Sequence, residues 1–481
     1  MQDASFIKNS IYNVAYKLLN AIFPLISIIY ASHIILANGI GLVSSAQNIA
    51  QYFVIAASLG IPLYGAKHIA RAKDDNKRTS KTFSELFVIN LISTLICTTL
   101  YYLLINNIIF SKNGKILYDI IGIHIILNIF NIDWFYQGTE KFKYIVKRDF
   151  IVKAIALILL FIFVQSPNDY LNYAIIYIIA TAGNYIFNML HLKRSGISLV
   201  LSDLKLKKHL KPLFILFGTV IAIELYTLLD TTMLTIFCPS ENVGYYTNTS
   251  KMIKVLITII TAIGGTLLPR LSYNRQNNKI ADCEKIINTV LSVLVYLFLP
   301  CGLGVFLLSD LLVPILFGQT FIPAILTLKI AVLLIYALGF SNLFGTQVLL
   351  AFDCEKKLFI CTLIGAASNI IINLILIPLY QQNGAMTASV ISETLVTLFT
   401  FYFSCKFIKY HLNFPFIIKT IISCLLMSLT ILILRHFISA SICAIVLSTA
   451  IGALVYFLSG ILIHNEVTIH LFALIKSRSE Q

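Results

Sequence analysis

Residues 131–150 read NIDWFYQGTEKFKYIVKRDF, a short, polar and basic stretch that holds the only tryptophan of the chain. An apolar run, KILYDIIGIHIILNIF, leads into it, and a second, IVKAIALILLFIFV, follows directly. A wet hinge between two segments that oily is what a chain shows where it leaves a bilayer and turns back. On that reading Trp134, Phe135 and Tyr136 form the aromatic belt at a helix end, and the basic residues after them sit in headgroup water.

Composition extends the reading to the whole chain. Of 481 residues, 58% are hydrophobic and only 12% charged, with a mean hydropathy of +0.87. A soluble domain is near a quarter charged. Core burial cannot absorb the excess, because soluble cores stop growing at about 250–300 residues. Apolar runs of roughly 20 residues can instead cross a hydrocarbon layer as helices. The chain is therefore expected to be an all-α, polytopic membrane protein.

Fourteen such runs are counted, near 11–31, 40–63, 83–105, 116–136, 150–166, 170–190, 212–236, 245–268, 286–308, 323–350, 358–378, 385–405, 417–437 and 441–463. Loops after even-numbered runs carry most of the basic residues, among them Lys67, Arg71, Lys141, Lys147, Arg148, Lys205, Lys208, Arg270 and Lys356. Loops after odd-numbered runs hold only Lys112, Lys115 and Arg435. The positive-inside rule then predicts both termini in the cytoplasm. The net charge of +15 is a topology signal, and no nucleic-acid partner is expected from it. Residues 1–10 carry one Lys and lead into a run too long for a cleaved signal, so the first run is expected to stay in the membrane. The nine cysteines, such as Cys97, Cys301, Cys361, Cys424 and Cys443, show no C-x-x-C spacing and read as small core residues.

The opening stretch has an echo. GTEKFKYI at 138–145 resembles DCEKKLFI at 353–360, and the two follow the fourth and tenth runs, six helices apart. A six-helix internal repeat is a frequent transporter plan, with the site between the halves. The expected organisation is a first lobe over 1–195, a basic linker over 196–211, a second lobe over 212–410, and an added helix pair with a tail over 411–481.

Polar stripes locate a candidate site. In the first run Asn13, Lys17 and Asn20 share one face. In the second, Ser44, Gln47, Asn48 and Gln51 do the same. The seventh carries Glu224, Thr227 and Thr231 with Asp230 beside them. The eighth carries Thr247, Lys251, Lys254, Thr258 and Thr261 at alternating spacings of four and three. Hydroxyls and amides often serve only as interhelical glue. A lysine at mid-membrane costs roughly 2.5–3.5 kcal/mol, which points Lys17, Lys251 and Lys254 toward function. Lys329 and Glu393 are further intramembrane candidates, whereas Lys153 and Lys419 are expected to snorkel to the interface. His33, His124 and His436 read as interfacial.

Several chemistries are missing from the sequence. It has no G-x-x-x-x-G-K-[ST], no H-E-x-x-H and no arguable Ser/His/Asp grouping. No cofactor is expected. The short non-cytoplasmic loops leave no room for the catalytic domain of a membrane polymerase or ligase, so a transporter is favoured over an enzyme.

Two passages carry a family resemblance. SNIIINLILIPLYQQNGAMTASVISETLV at 368–396 combines an Asn-rich helix, an Ile-Pro exit, Gly-Ala-x-x-Ala-Ser and a glutamate in the next helix. NIDWFYQGTEKFKYI adds Trp followed by Gln-Gly, Glu and aromatics, and QYFVIAASLGIPLYGAKHIAR adds a second-helix match. Over nearly its whole length the chain resembles the Wzx-type O-antigen and capsule flippases of the multidrug/oligosaccharidyl-lipid/polysaccharide exporter superfamily.

The resemblance implies two pseudo-symmetric, MATE-like six-helix bundles plus two C-terminal helices, with a cavity lined by helices 1, 2, 7 and 8. It implies export of undecaprenyl-pyrophosphate-linked repeat units across the bacterial inner membrane by alternating access, with a polysaccharide polymerase among the expected partners. Lys17, Asn13, Asn20, Gln47, Gln51, Lys251, Lys254 and Lys329 are then the expected substrate contacts. Glu224, Asp230 and Glu393 are the expected ion-coupling groups, and Trp134, Gln137, Glu140 and Glu355 the expected gate. A drug or metabolite exporter of the same superfamily is the competing reading, disfavoured by the lysines.

Overall fold

The computed structural model of the chain describes residues 2–72, 74–108, 112–192, 196–200, 202–261, 267–411, 413–437 and 441–469. The side chains of residues 2–18, 21, 108, 112, 113, 219, 222, 223, 225, 226 and 269 lie outside that description. Among the described residues every regular element is helical. The helices are α1 (Gln2–Ser58), α2 (Ile61–Ala72), α3 (Asn76–Ile108), α4 (Lys112–Leu127), α5 (Asp133–Gly138), α6 (Phe142–Phe163), α7 (Tyr170–Leu192) and α8 (Lys207–Phe237). They continue as α9 (Ser240–Thr261), α10 (Leu267–Gln276), α11 (Ile280–Phe317), α12 (Ala324–Ser341), α13 (Glu355–Ser404), α14 (Phe414–Phe437) and α15 (Ile442–Leu462).

Two helices are longer than a bilayer requires. At 1.5 Å per residue, the 57 residues of α1 would reach about 85 Å, nearly three hydrocarbon thicknesses. The chain turns instead at Leu36 (φ 59°, ψ −179°), so α1 holds the first and second spans. The 50-residue α13 breaks likewise at Gln381 (φ 51°, ψ −129°) and holds the eleventh and twelfth. Among the described residues each of the fourteen expected runs is thereby largely helical. Nine described stretches are long and apolar enough to cross a membrane by composition, two of them carrying these breaks. The charges of α6 and the hydroxyls and lysines of α9 keep those two helices out of that set.

The described chain forms two compact units, Met1–Gly244 and Tyr245–Gln481. In the first, α1 touches α3, α4, α6, α7 and α8. In the second, α11 touches α12, α14 and α15, while α12 runs along α13. Tyr456 of α15 donates to the carbonyl oxygen of Tyr296 on α11 at 2.7 Å, both rings being buried. The added helix pair is thus packed into the second unit.

Three local expectations meet the structure, and the first and third are corrected. Trp134, Phe135 and Tyr136 are 2%, 1% and 0% exposed, so they form a core and not an interfacial belt. The segment Asp133–Gly138 folds as α5 and docks on α2, with Trp134 stacked on Phe83 at 5.4 Å between centroids. Gly65 faces the Trp134 ring so closely that a β-carbon there would stand 2.5 Å from it. Polar loop chemistry misled the sequence reading because the three aromatics pack inward across a single helical turn.

The linker is the second. Ser198 and Val200 donate backbone N–H groups to Ser80 Oγ (3.4 Å) and Ser84 Oγ (2.9 Å) of α3, and Lys205 donates to Glu85 Oε1 (2.9 Å). Glu85 is fully enclosed and also meets Lys208 Nζ at 2.6 Å and His209 Nε2 at 2.9 Å. The described part of this basic segment is strapped to α3 of the first unit. Its lysines partly answer a buried carboxylate.

The third concerns the echo. Glu140 (φ 57°) and Asp353 (φ 51°) each end a helix in the left-handed conformation. The next residue closes the turn onto the carbonyl five residues earlier, Lys141 to Tyr136 at 2.9 Å and Cys354 to Leu349 at 2.8 Å. This Schellman geometry makes Glu140 the counterpart of Asp353, two residues out of step with the sequence match of Glu140 to Glu355. The repeated element is the turn, and the shared Glu-Lys is displaced along it.

Candidate functional site

The lysine stripe lies on α9. Lys251 is half-buried and Lys254 exposed, one turn apart on the same side of the helix. Neither has an ion-pair or hydrogen-bond partner among the described residues. The hydroxyls beside them are used locally, since Thr258 donates to the Lys254 carbonyl at 2.7 Å and Thr261 to that of Ile257 at 2.7 Å. Thr247, one turn earlier, is buried. Among the described residues, the stripe thus presents two uncompensated ammonium groups in an otherwise self-satisfied polar face.

Within the first unit, the polar faces of the second and seventh spans meet. Asn48 of α1 donates to Thr232 Oγ1 of α8 at 2.7 Å, and Tyr52 shares that hydroxyl at 2.7 Å. Thr235 donates to Ser45 at 2.9 Å, and Ser240 to Asn38 Oδ1 at 2.7 Å. Gly41 lets the backbones close, because a β-carbon there would lie 1.7 Å from the Ser240 carbonyl oxygen. Gln47 and Gln51 stand half-buried on the same stretch of α1. Of the acidic pair, Asp230 is buried on α8, while half-buried Glu224 accepts from the Thr227 hydroxyl at 3.2 Å.

Asn13 and Lys17 have side chains outside the described residues. Asn20 is described, and it accepts a hydrogen bond from Lys153 Nζ. Lys153 is only 8% exposed, so it does not snorkel. It is held instead by Asn20 and lies 5.9 Å from the centre of the Phe23 ring. His124, expected at an interface, is buried in α4.

The sequence reading missed the most strongly bonded charges. Arg148, expected as a loop cation, is buried and forks onto Asp133 (2.9 and 3.2 Å) and onto Asp149 (2.6 and 3.0 Å). Asn188 donates to Asp133 at 2.6 Å and accepts from Arg148. Asn184 donates to Asp149 at 3.0 Å. This cluster ties α5, α6 and α7 together. A signal did exist: Asn184 and Asn188 share a helix face one turn apart, and adjacent Arg148 and Asp149 precede an apolar run without a turn residue.

The remaining candidates are distributed. Lys329 of α12 pairs with Asp310 of α11 at 2.8 Å, and Arg435 of α14 reaches the same carboxylate at 3.4 Å, so the Lys329 charge is compensated inside the second unit. Glu393 is half-buried on α13. Gln137 is half-buried in α5, and Glu140 and Glu355 are exposed at the two turns. The acidic residue that pairs at the second turn is Asp353, with Arg275.

Residues 6–275 match the family model described as polysaccharide biosynthesis protein. Residues 150–456 match that of the lipid II flippase MurJ. The chain is 23% identical over 398 residues to an Escherichia coli (strain K12) protein named for O-antigen transport, covering 81% of this chain and 94% of the relative. The solved structure of lipid II flippase MurJ in an inward closed conformation shares the fold with a TM-score of 0.76 at 16% identity, over 95% of this chain and 99% of that one. An inward-facing MATE family transporter of the MOP superfamily follows at a TM-score of 0.65 and 13% identity, over 82% and 97% of the two chains. Each family model spans more than half of the 481 residues. The chain belongs to the polysaccharide biosynthesis protein family and to the MurJ family whose match overlaps it.

Proposed function

We propose that this multi-pass membrane protein moves undecaprenyl-pyrophosphate-linked oligosaccharide repeat units from the cytoplasmic to the outer leaflet of a bacterial inner membrane. The movement proceeds by alternating access and serves O-antigen or capsule synthesis, with both termini in the cytoplasm. The observation that carries the reading is the pair of uncompensated lysines on α9 in a chain of this family. A lipid diphosphate must shed headgroup water to cross, and a nearby ammonium group offsets that cost strongly in a low-dielectric setting. Lysine supplies a compact, mobile point charge for it. Lys17, Gln47 and Gln51 of the first unit are proposed as further contacts to the lipid-linked substrate. Glu224 and Asp230 are proposed to couple transport to an ion gradient.

The test is export in a strain whose own repeat-unit flippase is deleted. Expression of the chain is expected to restore surface glycan, and collapsing the proton and sodium gradients is expected to abolish the recovery. Lipid-linked repeat units left entirely at the inner leaflet would refute the function. Export that is indifferent to both gradients would refute the coupling alone.

Orientation has its own check. A reporter active only in the cytoplasm is expected to work when fused after Asn278, and a periplasm-dependent one after Gln382. Reversed activities would overturn the assigned orientation.

A further inference from the structure

The first unit carries a groove that its own packing leaves open, beside the buried arginine cluster. It encloses about 540 Å³ between α6 and α7, within the range of roughly 300–1,000 Å³ typical of ligand sites. Its floor is polar and aromatic. Tyr144 stacks on His191 at 4.1 Å between ring centres and donates to the Phe187 carbonyl oxygen at 2.9 Å, so the ring is fixed in place. Its outer wall is apolar: Ile151, Phe187 and Leu190 are 43%, 45% and 60% exposed. Lys147 stands exposed at the rim.

Charge accounting identifies what the groove lacks. Arg148 also faces it, but Asp133 and Asp149 already neutralise that guanidinium. Lys147 has no ion-pair partner among the described residues. The groove is therefore a site with one net positive charge at its rim and an apolar strip running away from it. A headgroup phosphate with its acyl chain has that same order of chemistry. Basic pockets between spanning helices at the cytoplasmic side take anionic lipid headgroups in this way.

We propose that this groove binds one anionic glycerophospholipid, with its phosphate at Lys147 and an acyl chain along Ile151, Phe187 and Leu190. The site lies wholly within the first unit, and none of the α9 lysines lines it. Binding there would load α6 and α7 next to the cluster that joins them to α5, so the lipid would brace that corner of the unit.

Native mass spectrometry of the full chain, purified in detergent with equal phosphatidylglycerol and phosphatidylcholine, reads the site without assuming an orientation. Preferential retention of one phosphatidylglycerol is expected. Lys147→Ala is expected to lower it about fivefold, the contribution of one lysine near a lipid phosphate, and Lys147→Glu further. Lys285→Glu, exposed on α11 and outside the groove, is expected to leave it unchanged. Leu190→Asp, which breaks the apolar wall, is expected to release the lipid while Lys147 stays in place. Equal retention in wild type and Lys147→Glu would overturn the proposal. So would displacement of the lipid by equimolar polyprenyl diphosphate in a Lys147-dependent manner, because the occupant would then be the transported class of lipid.

Discussion

Replacing Arg148 by alanine is expected to cost roughly 3–5 kcal/mol of stability, the range for breaking one side of a buried ion pair. The substitution strands two carboxylates at once. Asp133 and Asp149 both take their principal bonds from the Arg148 guanidinium, Asp149 buried and Asp133 half-buried where α5, α6 and α7 meet. The asparagines cannot replace it, since Asn184 and Asn188 each give a neutral donor where a charge is needed. Lys153 is held by Asn20 on another helix and supplies no fork. Arg148→Lys is expected to fall between, because charge is kept while the two-pronged geometry is lost. The triple change Arg148→Met, Asp133→Asn and Asp149→Asn is expected to recover most of the loss, as replacing a whole buried ionic group often does. Thermal unfolding of the purified chain in detergent measures all three. An Arg148→Ala protein that melts with the wild type would show that the cluster does not hold these helices.

The second large effect concerns transport and leaves the fold intact. Lys251→Leu together with Lys254→Leu is expected to reduce surface glycan to the level of a flippase-deleted strain at normal membrane abundance. A structural role and a ligand-binding role predict opposite signs here. Lysine in a span costs roughly 2.5–3.5 kcal/mol near mid-membrane, so leucine should hold or raise stability if the residues were structural. Among the described residues neither lysine has a carboxylate to strand, unlike Lys329, which Asp310 compensates. Loss of export with unimpaired folding is then the signature of a ligand-facing charge. Lys254→Arg is expected to keep partial export, because the charge persists while its shape changes. A double leucine variant with full surface glycan would remove the stripe from the mechanism.

Much of this molecule was legible in the chain, and the limits have physical causes. The fourteen helices follow from run length, because a bilayer fixes the length of a spanning helix and water penalises its exposure. Even the two unbroken-looking helices, α1 and α13, were separable by hydropathy, and the structure adds only the residues that turn, Leu36 and Gln381. Side-chain pairing was not legible. Arg148 and Lys153 look like any basic residues near a span end, and only the placement of Asp133, Asn188 and Asn20 on other helices reveals them as buried. Trp134 misled for the same reason: a turn of helix, invisible in composition, swings it into the core beside Phe83 and Gly65. The stripe on α9 was legible because periodicity alone places its residues on one face, whereas the role of Lys329 required knowing where Asp310 falls.

One measurement reaches the central claim most directly: the fraction of lipid-linked repeat units accessible from the outer face of intact spheroplasts. It is to be compared between the wild-type chain and the Lys251→Leu/Lys254→Leu variant, expressed at equal abundance in the deleted strain. The account predicts that the wild type exposes repeat units outside and that the variant holds them at the inner leaflet. Equal outer accessibility in the two would contradict a cationic stripe that carries the lipid diphosphate across.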